Sequence, residues 1–255
     1  GQPISMRESL NKAETIVNPT SEVDTLSKHP YHQDVGKLTT VWLMGFTKLD
    51  VPLPETLASK LHAFWGRIFG VLNAPLELFL GSEQHHNANI VYMAHQGGQL
   101  SGTCLLTVSK TVPTLGGLGE VATEPGLRRG GVATELCRMA VESFREQGGE
   151  ALFLGTGNPD AARIYYRLGW RRLAGSNIWL NVTSDQSPEE FMADYFRTIK
   201  SAITVAPANP TARIPMIPLI ATPHDWQVLD ANVDGQFSTR HRTQHSTMGQ
   251  YPKYQ

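Results

Sequence analysis

The sequence predicts an α/β (α+β) fold in which a mixed central sheet is flanked by helices. Two observations carry this. Residues 89–95 and 99–108 are strand-like runs on either side of Gly97-Gly98, a hairpin signal that makes one part of the sheet antiparallel. Residues 116–123 and 151–155 are strand-like runs separated by a helical stretch, and strand, helix, strand in that order makes their pairing parallel.

Taken in order, residues 1–50 hold no clean period and read as an N-terminal extension that contributes a first strand or helix. Within it, 38–46 fits either. Residues 54–72 place Leu57, Leu61, Phe64, Trp65, Ile68 and Phe69 at helical spacing behind Pro54, a helix with one packed face. The hairpin and the third strand follow. Beyond a glycine-rich turn, Val132, Leu136, Cys137, Ala140, Val141 and Phe144 recur at helical spacing until Gly148-Gly149 closes the segment. Residues 151–155 form a short apolar run of the kind buried on both faces of a sheet. A second amphipathic helix covers about 159–168, and 170–174 with 178–182 around Gly175-Ser176-Asn177 read as a closing hairpin. Residues 188–196 look helical. Residues 206–223, punctuated by Pro207, Pro210, Pro215, Pro218 and Pro223, read as a linker or extended arm. The organisation expected is an extension over 1–50, a domain over 51–184, and a C-terminal helix and proline-rich arm of unassigned role over 185–255.

Composition narrows the function classes. The 255 residues are 40% apolar and 18% charged with a net charge of -1, an ordinary globular composition without the basic bias of a nucleic-acid binder. No apolar stretch approaches the about 18 residues of a membrane span, and Gly1-Gln2-Pro3-Ile4-Ser5 is not a basic-then-apolar leader. The expectation is a cytoplasmic protein with no membrane partner. Cys104 falls in a strand and Cys137 in a helix, outside any disulfide framework, which predicts buried free thiols. His85 and His86 are adjacent rather than one helical turn apart, so no metal site is expected.

The most informative stretch is 121–133, where a strand enters a helix through a doubly basic, glycine-rich turn. A helix start offers unpaired N–H groups and a positive dipole end, and glycines let an anion approach the backbone. The turn is no P-loop, since Gly36-Lys37 is followed by Leu38 and no Gly-Lys-Ser or Gly-Lys-Thr exists. It is no dinucleotide fingerprint either: Gly117 and Gly119 are followed by Ala122 where the third glycine should stand, within a strand. From the turn alone, an arginine pair capping an ordinary surface loop stays as open as an anion site.

Arg128, Gly131 and Ala133 give Arg-x-x-Gly-x-Ala, and Asn158, Ala161, Tyr165, Gly169 and Trp170 give Asn-x-x-Ala-x-x-x-Tyr-x-x-x-Gly-Trp one helix and one strand later. In that order and spacing they resemble motifs A and B of the GNAT acetyltransferase superfamily, with Trp170 in place of the usual phenylalanine. The resemblance covers about 88–184. It implies the GNAT fold, with the sheet splayed between the motif A strand and the parallel strand after it. It also implies that the chain before the first hairpin supplies an edge strand and two helices, and that the ligand is acetyl-CoA.

On this resemblance Val121, Ala122 and Thr123 would line the pantetheine arm, Arg128, Arg129, Gly130, Gly131, Val132 and Ala133 would cradle the pyrophosphate, and Asn158, Ala161 and Tyr165 would complete the cofactor site. Tyr165 would protonate the leaving thiolate. Its neighbour Tyr166, about 100° round the helix, is expected to pack instead. Glu120 stands where the family often carries its base, although the strand pattern equally allows a solvated or hydrogen-bonded carboxylate. His95, near the hairpin turn, reads as a surface residue. Phe64, Trp65, Trp170 and Trp179 could wall the acceptor pocket or belong to the core. The expected activity is transfer of an acetyl group to an amine of a small molecule or peptide. Some related domains instead decarboxylate malonyl-CoA, transfer to a thiol, or only bind acyl-CoA. The expected partners are acetyl-CoA and an unidentified amine acceptor, with a homodimer as one arrangement that an arm beyond 205 allows.

Overall fold

The computed structural model describes residues 24–31, 42–70, 74–197 and 209–221. Eight strands form one sheet: β1 (Asp24–Tyr31), β2 (Trp42–Asp50), β3 (Asn87–Gln96), β4 (Gln99–Ser109), β5 (Leu115–Thr123), β6 (Ala151–Gly155), β7 (Arg171–Arg172) and β8 (Ile178–Val182). Their order across the sheet is β1-β2-β3-β4-β5-β6-β8-β7. Among the described strands only β5 and β6 pair in parallel. The β3/β4 hairpin turns at Gly97 (φ 58°) and Gly98 (φ 78°), two successive left-handed residues that a two-residue turn of this hand requires.

Helix α1 (Glu55–Phe69) starts behind Pro54 and ends at Gly70, whose N–H donates to Gly66 O at 3.0 Å. Together with the one-turn α2 (Leu76–Phe79) it covers one face of the sheet, where Leu61, Trp65 and Phe79 pack on Val91, Met93 and Leu105. Helix α3 (Val132–Glu146) and α4 (Pro159–Arg167) cover the other face, burying Leu136, Ala140, Phe144 and Tyr165 against Tyr92, Leu106 and Leu152. Strand β6 is buried on both sides as its apolar run predicts. Leu152 and Leu154 join the α3 cluster, while Ala151 and Phe153 join a third cluster containing Phe191 of α5 (Pro188–Arg197). Each buried leucine or phenylalanine among them contributes about 1.5–3 kcal/mol. Cys104 and Cys137 are buried free thiols.

Three expectations change. The ambiguous stretch at 38–46 is resolved as strand from Trp42 onward, since β2 pairs antiparallel with β3, and residues 38–41 lie outside the described residues. The chain before the hairpin supplies two strands rather than one, with β1 added outside β2. The proline-rich segment is no extended arm over 209–221. A 3-10 turn at Pro210–Arg213 and the short α6 (Met216–Ala221) dock on the domain, with Ile214 and Ile217 in the third cluster. Prolines that forbid a long helix still permit short turns, and the apolar residues between them are enough to anchor these. Residues 222–255 and most of the N-terminal extension lie outside the described residues.

Candidate active site

Strand β5 has two unequal neighbours. Its register with β4 runs to Thr123, opposite Gly102, whereas its register with β6 covers only Leu115–Gly117 against Ala151–Phe153. The C-terminal half of β5 therefore has no ladder on its β6 side. A bulge accompanies this change. Thr103 stands opposite Ala122 and Leu105 opposite Gly119, so Glu120 and Val121 together face Cys104, and Glu120 takes φ 47°. Glu124 N–H donates to Ser101 O at 2.8 Å. In antiparallel alternation, Thr123 then turns its N–H and C=O away from β4, toward the opening.

Glu120 is buried, and burial alone raises its carboxyl from 4.5 to about 7. Its backbone oxygen, out of the ladder, accepts from Thr103 Oγ1 at 2.8 Å, and Thr103 Oγ1 accepts from Trp65 Nε1 at 2.9 Å. Neither Trp65 nor Thr103 carries a sequence signal for this role. Trp65 has helical spacing and Thr103 lies in an ordinary strand. Val121 is half-buried on the α3 side, and Ala122 is buried in the α1 cluster. Thr123 Oγ1 is buried without a partner among the described residues.

The turn that follows has the form expected of an anion cradle. After the 3-10 turn Pro125–Leu127, Arg129 (φ 67°) and Gly131 (φ 85°) are left-handed, and Gly131 caps α3 with no side chain bonded across the helix start. The first helical bond there is Glu135 N–H to Gly131 O at 2.9 Å. Val132, Ala133 and Thr134 thus precede any helical acceptor and present their N–H groups outward at the positive end of the dipole. A Cβ at Gly131 would meet nothing within 4 Å, so glycine serves the backbone conformation there and leaves the space in front open. Arg128 and Arg129 are exposed, Arg128 donating only a long 3.4 Å bond to Thr123 O.

Helix α4 begins at Asn158, whose Oδ1 accepts from Asp160 N–H at 2.9 Å. That commits the side-chain oxygen of Asn158 to capping. Ala161 packs half-buried on the α3 cluster. Tyr165 is buried with its ring 5.9 Å from that of Trp170, and burial beside Cys137 and Cys104 holds its hydroxyl well above the ordinary tyrosine value. Cys104 is the residue opposite the Glu120–Val121 bulge, so the Tyr165 hydroxyl and the bulge share a neighbour across β4. Tyr166, expected to pack, is instead 59% exposed with the Arg171 guanidinium 4.4 Å from its ring centre. His95 is half-buried rather than a plain surface residue, and burial lowers its imidazole. Phe64, Trp65 and Trp170 are buried in the core, and Trp179 packs half-buried on the α3 cluster.

The sequence model of the acetyltransferase (GNAT) family matches residues 58–170, from within α1 to the residue after α4 and its closing turn. Over those residues the chain is similar to the GNAT acetyltransferase family. The family match begins upstream of the motif-bearing stretch and takes in α1, whose role in a GNAT domain its own residues do not announce. No curated protein matches the chain in sequence. Solved structures with a similar course include a GNAT acetyltransferase from Staphylococcus aureus Mu50, at 15% identity and TM-score 0.44, covering 54% of this chain and 99% of its own. Another is the ribosomal-protein-S18-alanine N-acetyltransferase of Escherichia coli, at 17% identity and TM-score 0.42, covering 55% and 97%. A Bacillus subtilis acetyltransferase in complex with CoA is 19% identical with TM-score 0.35, covering 44% and 70%.

Proposed function

We propose that the protein transfers an acetyl group from acetyl-CoA to an amine, with the donor held at the β5/β6 opening. One observation carries this reading: a one-sided strand, an uncapped and open helix start, and a buried carboxyl near neutral pKa lie together along 117–134. The residues fit the donor. The N–H groups of Val132, Ala133 and Thr134 meet a pyrophosphate, with Arg128 and Arg129 at its rim. The outward backbone groups and orphan hydroxyl of Thr123 meet the amide-bearing arm. Acetyl-CoA supplies the activated thioester.

The chain's own residues then have two proton tasks. An attacking amine must be neutral, which at about pH 7 costs a lysine-like amine roughly 4–5 kcal/mol and an α-amino group about 1 kcal/mol. Glu120, raised to about 7, takes that proton directly or through water more favourably than an ordinary carboxylate would. As the amine nitrogen bonds to the carbonyl carbon and the carbon–sulfur bond breaks, the neutral Tyr165 hydroxyl gives a proton to the departing sulfur. Its burial keeps it protonated for that purpose.

Calorimetric titration with CoA and a radiolabelled acetyl-transfer assay across a panel of amines test this. Arg128→Glu replaces a cation at the cradle by an anion. It should weaken CoA binding at least tenfold, since a charge-assisted bond is worth about 1.5–3 kcal/mol. Unchanged CoA affinity in that variant, or no transfer to any amine by a CoA-binding wild type, would sink the assignment.

A further inference from the structure

A non-glycine residue at φ 47° sits in a sparsely populated region, so Glu120 stays there only because its surroundings fix it. The fixing contacts come from outside its own strand. A bulge displaces a carbonyl from the ladder, and a displaced carbonyl in a buried place must find another donor. The donor for Glu120 is the Thr103 hydroxyl, fully buried on β4. That hydroxyl has one proton and could turn it elsewhere. Trp65 narrows the choice, because an indole N–H can only donate and occupies Thr103 Oγ1 as an acceptor at 2.9 Å. With that direction taken by the indole, the Thr103 proton goes to Glu120 O at 2.8 Å. The indole itself is immobilised, 1% exposed and 4.7 Å from the ring of Phe79. Two residues further along α1, Arg67 pairs with Glu124 at 2.5 Å, so the same helix grips β5 on both sides of Val121–Thr123.

We infer that Trp65 and Thr103 are positioning residues for Glu120, an indole–hydroxyl–carbonyl chain from α1 through β4 that sets the bulge carrying its carboxylate. The inference rests on the reading of Glu120 as the base and makes α1 the element that decides where that base sits.

Carbon-13 NMR of the full chain labelled at the glutamate side-chain carboxyl reads this without any acceptor, Glu120→Gln identifying the resonance. The wild-type signal should titrate at about 7. Thr103→Val keeps the side-chain shape and removes the hydroxyl. Its midpoint should fall toward the ordinary carboxylate range as the bulge relaxes and water reaches the carboxyl. Thr103→Ser, which restores the hydroxyl, should bring the midpoint back. A merely structural Thr103 would lower the melting temperature and leave the midpoint in place. That result, or the same midpoint in Thr103→Val and Thr103→Ser, overturns the proposal. Should Thr103→Val not fold, Trp65→Phe decides: a lowered midpoint supports the chain and an unmoved one refutes it. The base reading fails separately, if Glu120→Gln retains wild-type transfer.

Discussion

The two ends of the sheet are built on different principles. At the C-terminal end of β5, the cradle is a run of backbone between Glu124 and Thr134 whose shape is dictated by its own residues, with Arg129 and Gly131 left-handed and a helix start left uncapped. At the other end, where β3 begins, the structure is held by side chains that meet across the whole chain. Arg213 Nε donates to Glu83 Oε2 at 3.0 Å, Asn87 Nδ2 donates to Pro210 O at 2.9 Å, and His86 Nδ1 meets Thr211 Oγ1 at 3.0 Å. A cavity of about 450 Å3 lined by Asp50, His85, Asn89 and Lys110 opens beside this end, away from the cradle. On the proposed reading the contrast separates work on the donor from work on stability: the turn is open, whereas the far end encloses an ion pair with Arg213 3% and Glu83 7% exposed.

The far end should give the largest effect. Arg213→Ala leaves Glu83 buried and unpaired, which costs about 3–5 kcal/mol in a urea denaturation series. CoA affinity of the folded fraction should not change, because no contact links this pair to the cradle among the described residues. Replacing both partners by methionine should recover most of the loss, since two apolar side chains need no compensation. A variant of the Glu83–Arg213 pair that weakens CoA binding while leaving stability intact would collapse the distinction between the two ends.

The next effect belongs to the bulge. Glu120 has a folded value of about 7, above its ordinary 4.5, so the folded chain holds a proton that the unfolded chain has released in that interval. Stability from this group is fully present below about 4.5 and is lost as pH rises through about 7. The gap corresponds to about 3 kcal/mol at about 1.4 kcal/mol per pH unit. Glu120→Gln mimics the protonated form. Its melting temperature should match the wild type at acid pH, rise above it between those values, and keep a constant advantage beyond. An advantage that is the same at all pH values would mean that the carboxyl does not titrate across that range.

The same contrast explains what the sequence could convey. Period, glycine placement and motif spacing are local, and they located the hairpin, α3, β6, α4 and the uncapped turn, because each depends on residues within one or two turns of chain. The Glu120 bulge was out of reach, since nothing in Gly119-Glu120-Val121 demands it. It depends on a hydroxyl 17 positions away and an indole 38 positions from that hydroxyl. Docking of 209–221 was hidden for the same reason, its anchor at Glu83 lying 130 positions upstream. Tyr166 was misplaced on a narrower ground. Helical phase showed that it differs from Tyr165 in direction, but not that no element covers that direction.

The smallest effect is the most diagnostic of how sheet and cradle are coupled. Gly102 lies on β4 opposite Thr123, and a Cβ there would stand 2.7 Å from Val132 Cγ1, 3.1 Å from Ala122 O and 3.2 Å from Leu136 Cδ1. Alanine at this position reduces unfolded-chain entropy, a gain of about 0.4–1 kcal/mol, while forced overpacking costs about 1–3 kcal/mol. Overpacking wins because a short, buried valine and a backbone oxygen cannot yield as the tip of a long side chain could. The net loss expected for Gly102→Ala is therefore about 1–2 kcal/mol by thermal or urea denaturation. Val132 is also the first residue of α3, so the displacement moves the N–H groups of the cradle itself. CoA binding should weaken together with stability, unlike the outcome for Arg213→Ala. Calorimetry on both variants at a temperature where each is folded checks this, and equal CoA affinities in the two would show that the helix start is not seated by the strand beneath it.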